Sequence, residues 1–266
     1  MRQEVFTVTK NTQLTADAFE VEMEGNTEGL TKAGQFVQVQ VPPYFLRRPI
    51  SVKSWDDHRL KLVFKIMGKG TMLLAQLAQG DKVDLLTGLG NGFRLHRAPG
   101  HTPLLIGGGV GVPPLYALAL QLLAQREEDK DSDKPTGKPV VVLGYNKKEE
   151  ILLQKDFEEL GCRVLLATVD GSVGSKGFVT DALKLWLDKE GEGTDLPPYV
   201  YSCGPPPMLK ALDKMLDEYD IPGELSMEER MGCGIGACRG CTIETKKGPR
   251  RVCKAGPVFD RKVIQW

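Results

Sequence analysis

Residues 103–125 read PLLIGGGVGVPPLYALALQLLAQ. A short apolar run, Pro103–Ile106, leads into four glycines in five positions, then two prolines, then an apolar stretch of helical length, Leu115–Gln125. That order predicts a buried parallel strand, a tight turn and a helix. Proline suits the first helical turn, where its missing N–H would have had no intrahelical partner. G-x-G-x-x-G does not fit, because position 112 is Val. The pattern present is G-x-G-x-G-x-x-P, on Gly107, Gly109, Gly111 and Pro114. Glycines at the mouth of a helix let backbone N–H groups approach a pyrophosphate. The plainer alternative is a tight turn packed under a sheet, but this many glycines exceeds what a turn requires.

Beyond this stretch the same alternation continues. Strands are expected at Val140–Tyr145, Arg163–Thr168 and Tyr199–Cys203, and helices at Glu150–Leu160, Thr180–Lys189 and Pro207–Tyr219. Strand–helix alternation of this kind implies a parallel sheet with helices on both faces. Charged Arg126–Lys138, with its Pro and Gly, reads as a surface loop. SCGPPPM (202–208) puts Cys203 and Gly204 at the carboxyl end of a strand, where open sheets of this kind bind ligands. Core packing is the other reading for Cys203, and Cys162 reads as inert filling. The ribose-contact region is expected at Tyr145–Lys148 and Asp170. Its lysines suit a 2′-phosphate and its acid a 2′-hydroxyl, so NAD and NADP both stay open.

Before residue 100 the pattern is all-β. Strand candidates are Glu4–Thr9, Ala18–Met23, Phe36–Val41, Ile50–Ser54, Arg59–Met67 and Lys82–Leu86, with one short helix at Thr71–Leu77. Six short alternating strands suggest a small antiparallel barrel. In RRPIS (47–51), Arg48 offers a fixed fork of donors for a phosphate, Pro49 stiffens the backbone, and the strand then presents Ile50 and Ser51 on set faces. In KIMGKGT (65–71), a strand through Val63, Phe64 and Lys65 ends in a glycine turn. Gly70 and Thr71 then open a helix, with free N–H groups and a hydroxyl for an anion. Each stretch alone also reads as an ordinary strand entry or capped turn.

Near the C-terminus, residues 231–257 read MGCGIGACRGCTIETKKGPRRVCKAGP. Cys233, Cys238, Cys241 and Cys253 follow C-x4-C-x2-C-x11-C, the ligand spacing of a plant-type [2Fe–2S] cluster. Three thiols come from one loop and the fourth from a following hairpin. The loop glycines let backbone N–H groups turn inward toward sulfur. Zinc is the competing ligand, although structural zinc sites come as paired knuckles and only Cys238 and Cys241 form one. Disulfides fit poorly in a long chain without a secretory signal.

The 266 residues suggest two domains and a small third, divided here as 1–98, 99–222 and 223–266. Basic and acidic residues balance at 35 each, so there is no electrostatic footprint for nucleic acid. No apolar run has the length of a membrane span. MRQEVFTVTKN at the start alternates like a strand and is not a signal peptide, so a cytoplasmic protein is expected. The three histidines, His58, His96 and His101, form no acid–base constellation with a neighbouring nucleophile, and no catalytic residue is assigned.

The ordered set RPIS, GKGT, GGGVGVPP, SCGPPPM and the cysteine loop resembles the electron-transfer subunits of class 1B dihydroorotate dehydrogenase, within the ferredoxin reductase superfamily. It spans nearly the whole chain, and ERMGCGIGACRGC with CKAGPVFD is its most specific part. In that superfamily R-x-Y-S/T holds a flavin, with an aromatic residue where this chain has Ile50. The resemblance implies FAD on Arg48, Pro49, Ile50, Ser51, Val63, Phe64, Lys65, Gly70 and Thr71, and NAD rather than NADP. It also implies docking on an FMN-containing dihydroorotate dehydrogenase catalytic subunit, in a heterotetramer of two chains each. Electrons would pass from that FMN through the cluster and FAD to NAD, serving pyrimidine biosynthesis. A flavin must lie between the other two, since NAD exchanges hydride and a cluster single electrons. A reductase subunit for a hydrogenase, sulfite reductase or transhydrogenase would share these motifs. A zinc-stabilised nucleotide sensor is the non-enzymatic alternative.

Overall fold

The computed structural model describes residues 1–190 and 196–266. Strands β1 (Arg2–Gln13), β2 (Ala18–Glu24), β3 (Phe36–Val39), β4 (Arg48–Trp55), β5 (Arg59–Lys65) and β6 (Lys82–Leu89) pair antiparallel. They close into a barrel in the order β1-β2-β5-β4-β3-β6. Period-two alternation decides which side chains fill it. Leu60, Leu62 and Phe64 of β5 meet Phe6, Ile50 and Val52 inside, while Val63 turns outward and joins the core of the next domain. Helix α1 (Lys69–Leu74) lies between β5 and β6 and starts two residues before the expected Thr71. The reason is that Thr71 caps the turn from inside it, its Oγ1 accepting from the Met67 and Gly68 N–H groups at 2.9 and 3.3 Å.

The α/β part follows: β7 (Thr102–Gly108), α2 (Pro113–Asp129), β8 (Val140–Tyr145), α3 (Gln154–Glu159), β9 (Arg163–Thr168), β10 (Ser175–Lys176), α4 (Val179–Glu190), β11 (Pro198–Cys203), α5 (Pro206–Glu218) and β12 (Gly223–Ser226). The sheet order is β10-β9-β8-β7-β11-β12, all parallel, and then β15 (Val258–Asp260) runs antiparallel at the edge. Strands β10 and β12 were not expected from the sequence, and two helical segments differ from it. Arg126–Asp129 is not loop but the charged, solvated last turn of α2. The expected helix Glu150–Leu160 is broken at Leu153, whose φ of 59° separates a 3₁₀ turn at Lys148–Glu150 from α3.

Past β12 come a loop, a hairpin of β13 (Thr242–Ile243) and β14 (Arg250–Arg251), and the one-turn helix α6 (Val252–Ala255). Buried Arg261 ties this end of the chain to α5. It donates to Asp213 Oδ1 at 2.9 Å, Asp217 Oδ1 at 2.8 Å and the carbonyls of Ile221 and Leu216. The barrel docks on the sheet domain through α2 against β4 and through a buried charge cluster. Lys53 Nζ lies 2.6 Å from both Glu20 of β2 and Asp156 of α3, over the Tyr116 ring.

Candidate functional site

Beyond the carboxyl ends of β7, β8 and β11 a cleft of about 540 Å³ opens, lined by Gly108, Gly109 and Val110, by Tyr145, Asn146 and Glu150, and by Pro205 and Met208. Lys65 reaches it from the barrel. The glycines have separate tasks. A Cβ at Gly107 would press on Val112 and Leu115 at 2.9 Å, and one at Gly111 would strike the Cys203 carbonyl oxygen at 2.3 Å. These two therefore let the β7–α2 turn pack against its own helix and against the Cys203–Gly204 turn. Gly109 is different: no atom of the described residues lies within 4 Å of its Cβ position, and its φ of +54° is left-handed. It is the glycine whose backbone faces open space. Pro114 is buried in the first turn of α2.

Cys203 ends β11 two residues before Pro205 and does not itself line the cleft. Burial pushes its thiol up to about 12, against a hydrogen bond with Ser226, so it remains a neutral thiol at physiological pH. Of the ribose-contact candidates, Tyr145 and Asn146 line the cleft, whereas Lys147, Lys148 and Asp170 are exposed outside its lining. Glu150, which the sequence reading did not single out, lines it instead and accepts from Asn146 Nδ2 at 2.9 Å. A helix-like EE run gave no signal that one of the two acids would face a ligand.

On the barrel, Arg48 and Gly70 come together: a Cβ at Gly70 would lie 2.3 Å from Arg48 Nε. A side chain there would displace the guanidinium from the turn. Arg48 also stacks over Tyr44, 5.2 Å from the ring centre, and donates to the Leu46 carbonyl. Pro49 and Ser51 point outward from β4, while Ile50 turns into the barrel core at 8% exposure. Likewise Phe64 turns inward and stacks on Phe19, whereas Lys65 pairs with Asp17 at 2.9 Å. The Thr71 hydroxyl is engaged in its own cap and donates to the Gly68 carbonyl, so the turn offers backbone N–H groups rather than a free hydroxyl. A guanidinium against an N–H-rich glycine turn suits a dinucleotide pyrophosphate.

The cysteine loop places its thiols in two pairs. Cys233 Sγ accepts from the N–H groups of Ala237 and Cys238 at 3.2 and 3.4 Å, and Cys241 Sγ accepts from the Cys253 N–H at 3.5 Å. Among the described residues, no three Cys, His, Asp or Glu side chains close around a position for a single ion. Two pairs of sulfurs with N–H groups aimed at them suit a two-iron core better than one tetrahedral zinc. Burial opposes ionisation of Cys233, but N–H groups of Cys238, Ile235 and Ala237 outweigh it and bring the thiol down to about 6. Burial, and then neighbouring Cys241, push Cys253 up to about 12. The set is graded in exposure: Cys238 is exposed, while Cys241 and Cys253 are buried. Cys253 sits on α6, just past the hairpin rather than on it. Gly234, at φ +68°, presses the loop onto Gln38 of β3.

Comparison with known proteins bears on all three regions. A family model described as the iron–sulfur cluster binding domain of dihydroorotate dehydrogenase B matches residues 228–265, and one described as an oxidoreductase NAD-binding domain matches residues 105–214. The dihydroorotate dehydrogenase B (NAD(+)) electron transfer subunit of Fusobacterium nucleatum is 38% identical over 97% of this chain and 97% of its own length. That of Geobacillus sp. (strain WCH70) is 39% identical over the same shares of each. The chain belongs to the family of dihydroorotate dehydrogenase B electron transfer subunits. For this electron transfer subunit, solved likenesses include the NADH-dependent reduced ferredoxin-NADP oxidoreductase. That structure is 25% identical, with a TM-score of 0.82 over 98% of this chain and 90% of that one. A ferredoxin NADP+ reductase from Neisseria gonorrhoeae, solved with FAD and NADP, shares the fold at 22% identity. Its TM-score is 0.65, over 82% of this chain and 92% of its own.

Proposed function

We propose that this chain is the electron transfer subunit of an NAD-dependent dihydroorotate dehydrogenase, an oxidoreductase completed by a separate FMN-containing catalytic subunit. The observation that carries the reading is the seating of the paired-thiol loop on the barrel strand beside RPIS, with the glycine-lined cleft opening from the same barrel. FAD, held on segment 1–98, and a [2Fe–2S] cluster, held on 223–266, supply two-electron and one-electron exchange when bound. NAD is the substrate of segment 99–222.

The chain's own residues bind and position. Arg48 and the N–H groups at Gly70 and Thr71 hold the FAD pyrophosphate, with Pro49, Ser51, Val63 and Lys65 on the outward side of their strands. Ile50 and Phe64 support that wall from inside the barrel. Gly109 lets the NAD pyrophosphate approach the start of α2, a helix long enough to present its N-terminal N–H groups. Gly107, Gly111 and Pro114 shape that turn, and Cys203 and Gly204 form the turn packed against Gly111. Cys233, Cys238, Cys241 and Cys253 ligate the cluster, with the exposed Cys238 side toward the partner. The partner assembles as two chains of each kind. Reduced thiols in the loop support the cytoplasm as its compartment.

The test is reconstitution. Alone, the cofactor-loaded chain should pass electrons from NADH to an artificial acceptor but form no NADH from dihydroorotate. Adding the FMN subunit should give that reaction. Turnover of dihydroorotate by the isolated chain, or a partner that neither binds it nor exchanges electrons with it, would overturn the reading.

A further inference from the structure

Gln38 has no assigned role, yet its environment is unusual. Its side chain is wholly buried, at 0% exposure, and among the described residues neither Nε2 nor Oε1 has a hydrogen-bond partner. A buried amide left unpaired is costly, so its position calls for a partner outside the polypeptide. Two neighbours say which. A Cβ on Gly234, the residue after Cys233, would lie 2.2 Å from Gln38 Nε2, so the amide lies directly against the cysteine loop. Across the β3–β4 ladder Gln38 faces Pro49 of RPIS. Phe36, two residues back on the same face of β3, packs in one apolar cluster with Cys241 and Cys253.

We propose that Gln38 is a positioning residue for electron transfer: its amide N–H donates to a sulfur of the [2Fe–2S] cluster and raises the cluster's reduction potential. This rests on the cluster assignment above. An N–H donor stabilises the more negative, reduced cluster, and hydrogen bonds to the sulfurs are among the factors that set such potentials. Because β3 also carries the ladder to RPIS, the same side chain fixes the cluster loop against the flavin-side strand.

The experiment is a potentiometric titration of the cofactor-loaded chain, followed by EPR of the reduced cluster and by flavin absorbance. Gln38→Leu should lower the cluster potential by a tenfold change in the reduced-to-oxidised ratio, about 59 mV for one electron. The flavin potential and iron content should be unchanged. Gln38→His, which keeps an N–H donor, should restore most of the shift. In wild-type protein carrying glutamine labelled with ¹⁵N at the side-chain amide, the reduced cluster should show a ¹⁵N coupling that Gln38→His lacks. This second readout stands even where Gln38→Leu fails to load. An unchanged cluster potential at full iron content, a shift confined to the flavin, or the absence of that coupling would overturn the proposal. Wild-type protein without iron and sulfide would instead remove the cluster assignment, and this inference with it.

Discussion

Gly111→Ala asks whether the nucleotide cleft depends on two turns lying in backbone contact. The added Cβ would sit 2.3 Å from the Cys203 carbonyl oxygen and 2.6 Å from the Cα of Gly204. Both are main-chain atoms, and neither can swing away as a side-chain tip would. Relaxed contact needs about 3.5 Å, so the β7–α2 turn must retreat from the β11–α5 turn by roughly 1 Å. Overpacking of this kind costs about 1–3 kcal/mol. The retreat also moves Gly108–Val110 away from Pro205 and Met208, which line the same cleft. NADH affinity should therefore fall by about tenfold or more, equivalent to about 1.4 kcal/mol. FAD content should not change, because the barrel holds it. Urea unfolding gives the stability change, and the dependence of flavin reduction on NADH concentration gives the affinity. A variant that unfolds and binds NADH like wild type would show that the two turns do not depend on this contact.

Other outcomes follow from the same geometry. Arg48→Ala should weaken FAD retention by about 1.5–3 kcal/mol through loss of a charge-assisted contact, measured as flavin released on dilution; FAD held as tightly as before would refute that role. Serine at Cys233, Cys238, Cys241 or Cys253 should strip or destabilise the cluster, whereas Cys162→Ser should leave iron and sulfide content intact; full iron without Cys253 would exclude it as fourth ligand. Lys53 predicts an alkaline limit to stability. Burial works against its charge, but the hydrogen bonds it donates to Asp156 and Glu20 outweigh it and raise its pKa above the usual 10.5. The Lys53 contribution is thus fully present below pH about 10.5 and lost as pH rises through the folded value. Urea midpoints of wild type and Lys53→Met should converge as pH rises above that value, and a constant gap would contradict the sign.

Much of the fold was legible because buried strands announce themselves. VVVLGY and RVLLAT matched their expected bounds, being apolar runs flanked by turn residues. GELS at 223–226 gave no such signal, since half of it is polar. It becomes a strand because Glu224, fully buried, is neutralised by Arg94 from the segment after the barrel. The break at Leu153 was equally silent, as nothing in ILLQKDF marks a left-handed leucine. At the sites, motif reading found the residue types and spacings but not their division of labour. It did not separate Gly109 from its packing neighbours, and it gave Thr71 a free hydroxyl that the cap uses. Gln38 looked like an ordinary polar residue in an alternating strand. Its meaning comes only from the loop that folds onto it nearly two hundred residues later.

In the proposed function one chain joins a nucleotide cleft, a flavin barrel and a cluster loop into a single electron path. An anaerobic titration of the isolated, cofactor-loaded chain with NADH tests it most directly, following flavin bleaching by absorbance and cluster reduction by EPR. Both should respond to NADH in wild type, and Cys253→Ser should keep the flavin response and lose the cluster signal. Flavin that bleaches while an intact cluster stays oxidised at every NADH concentration, even when a low-potential chemical reductant can reduce it, would show that no electron path joins the two.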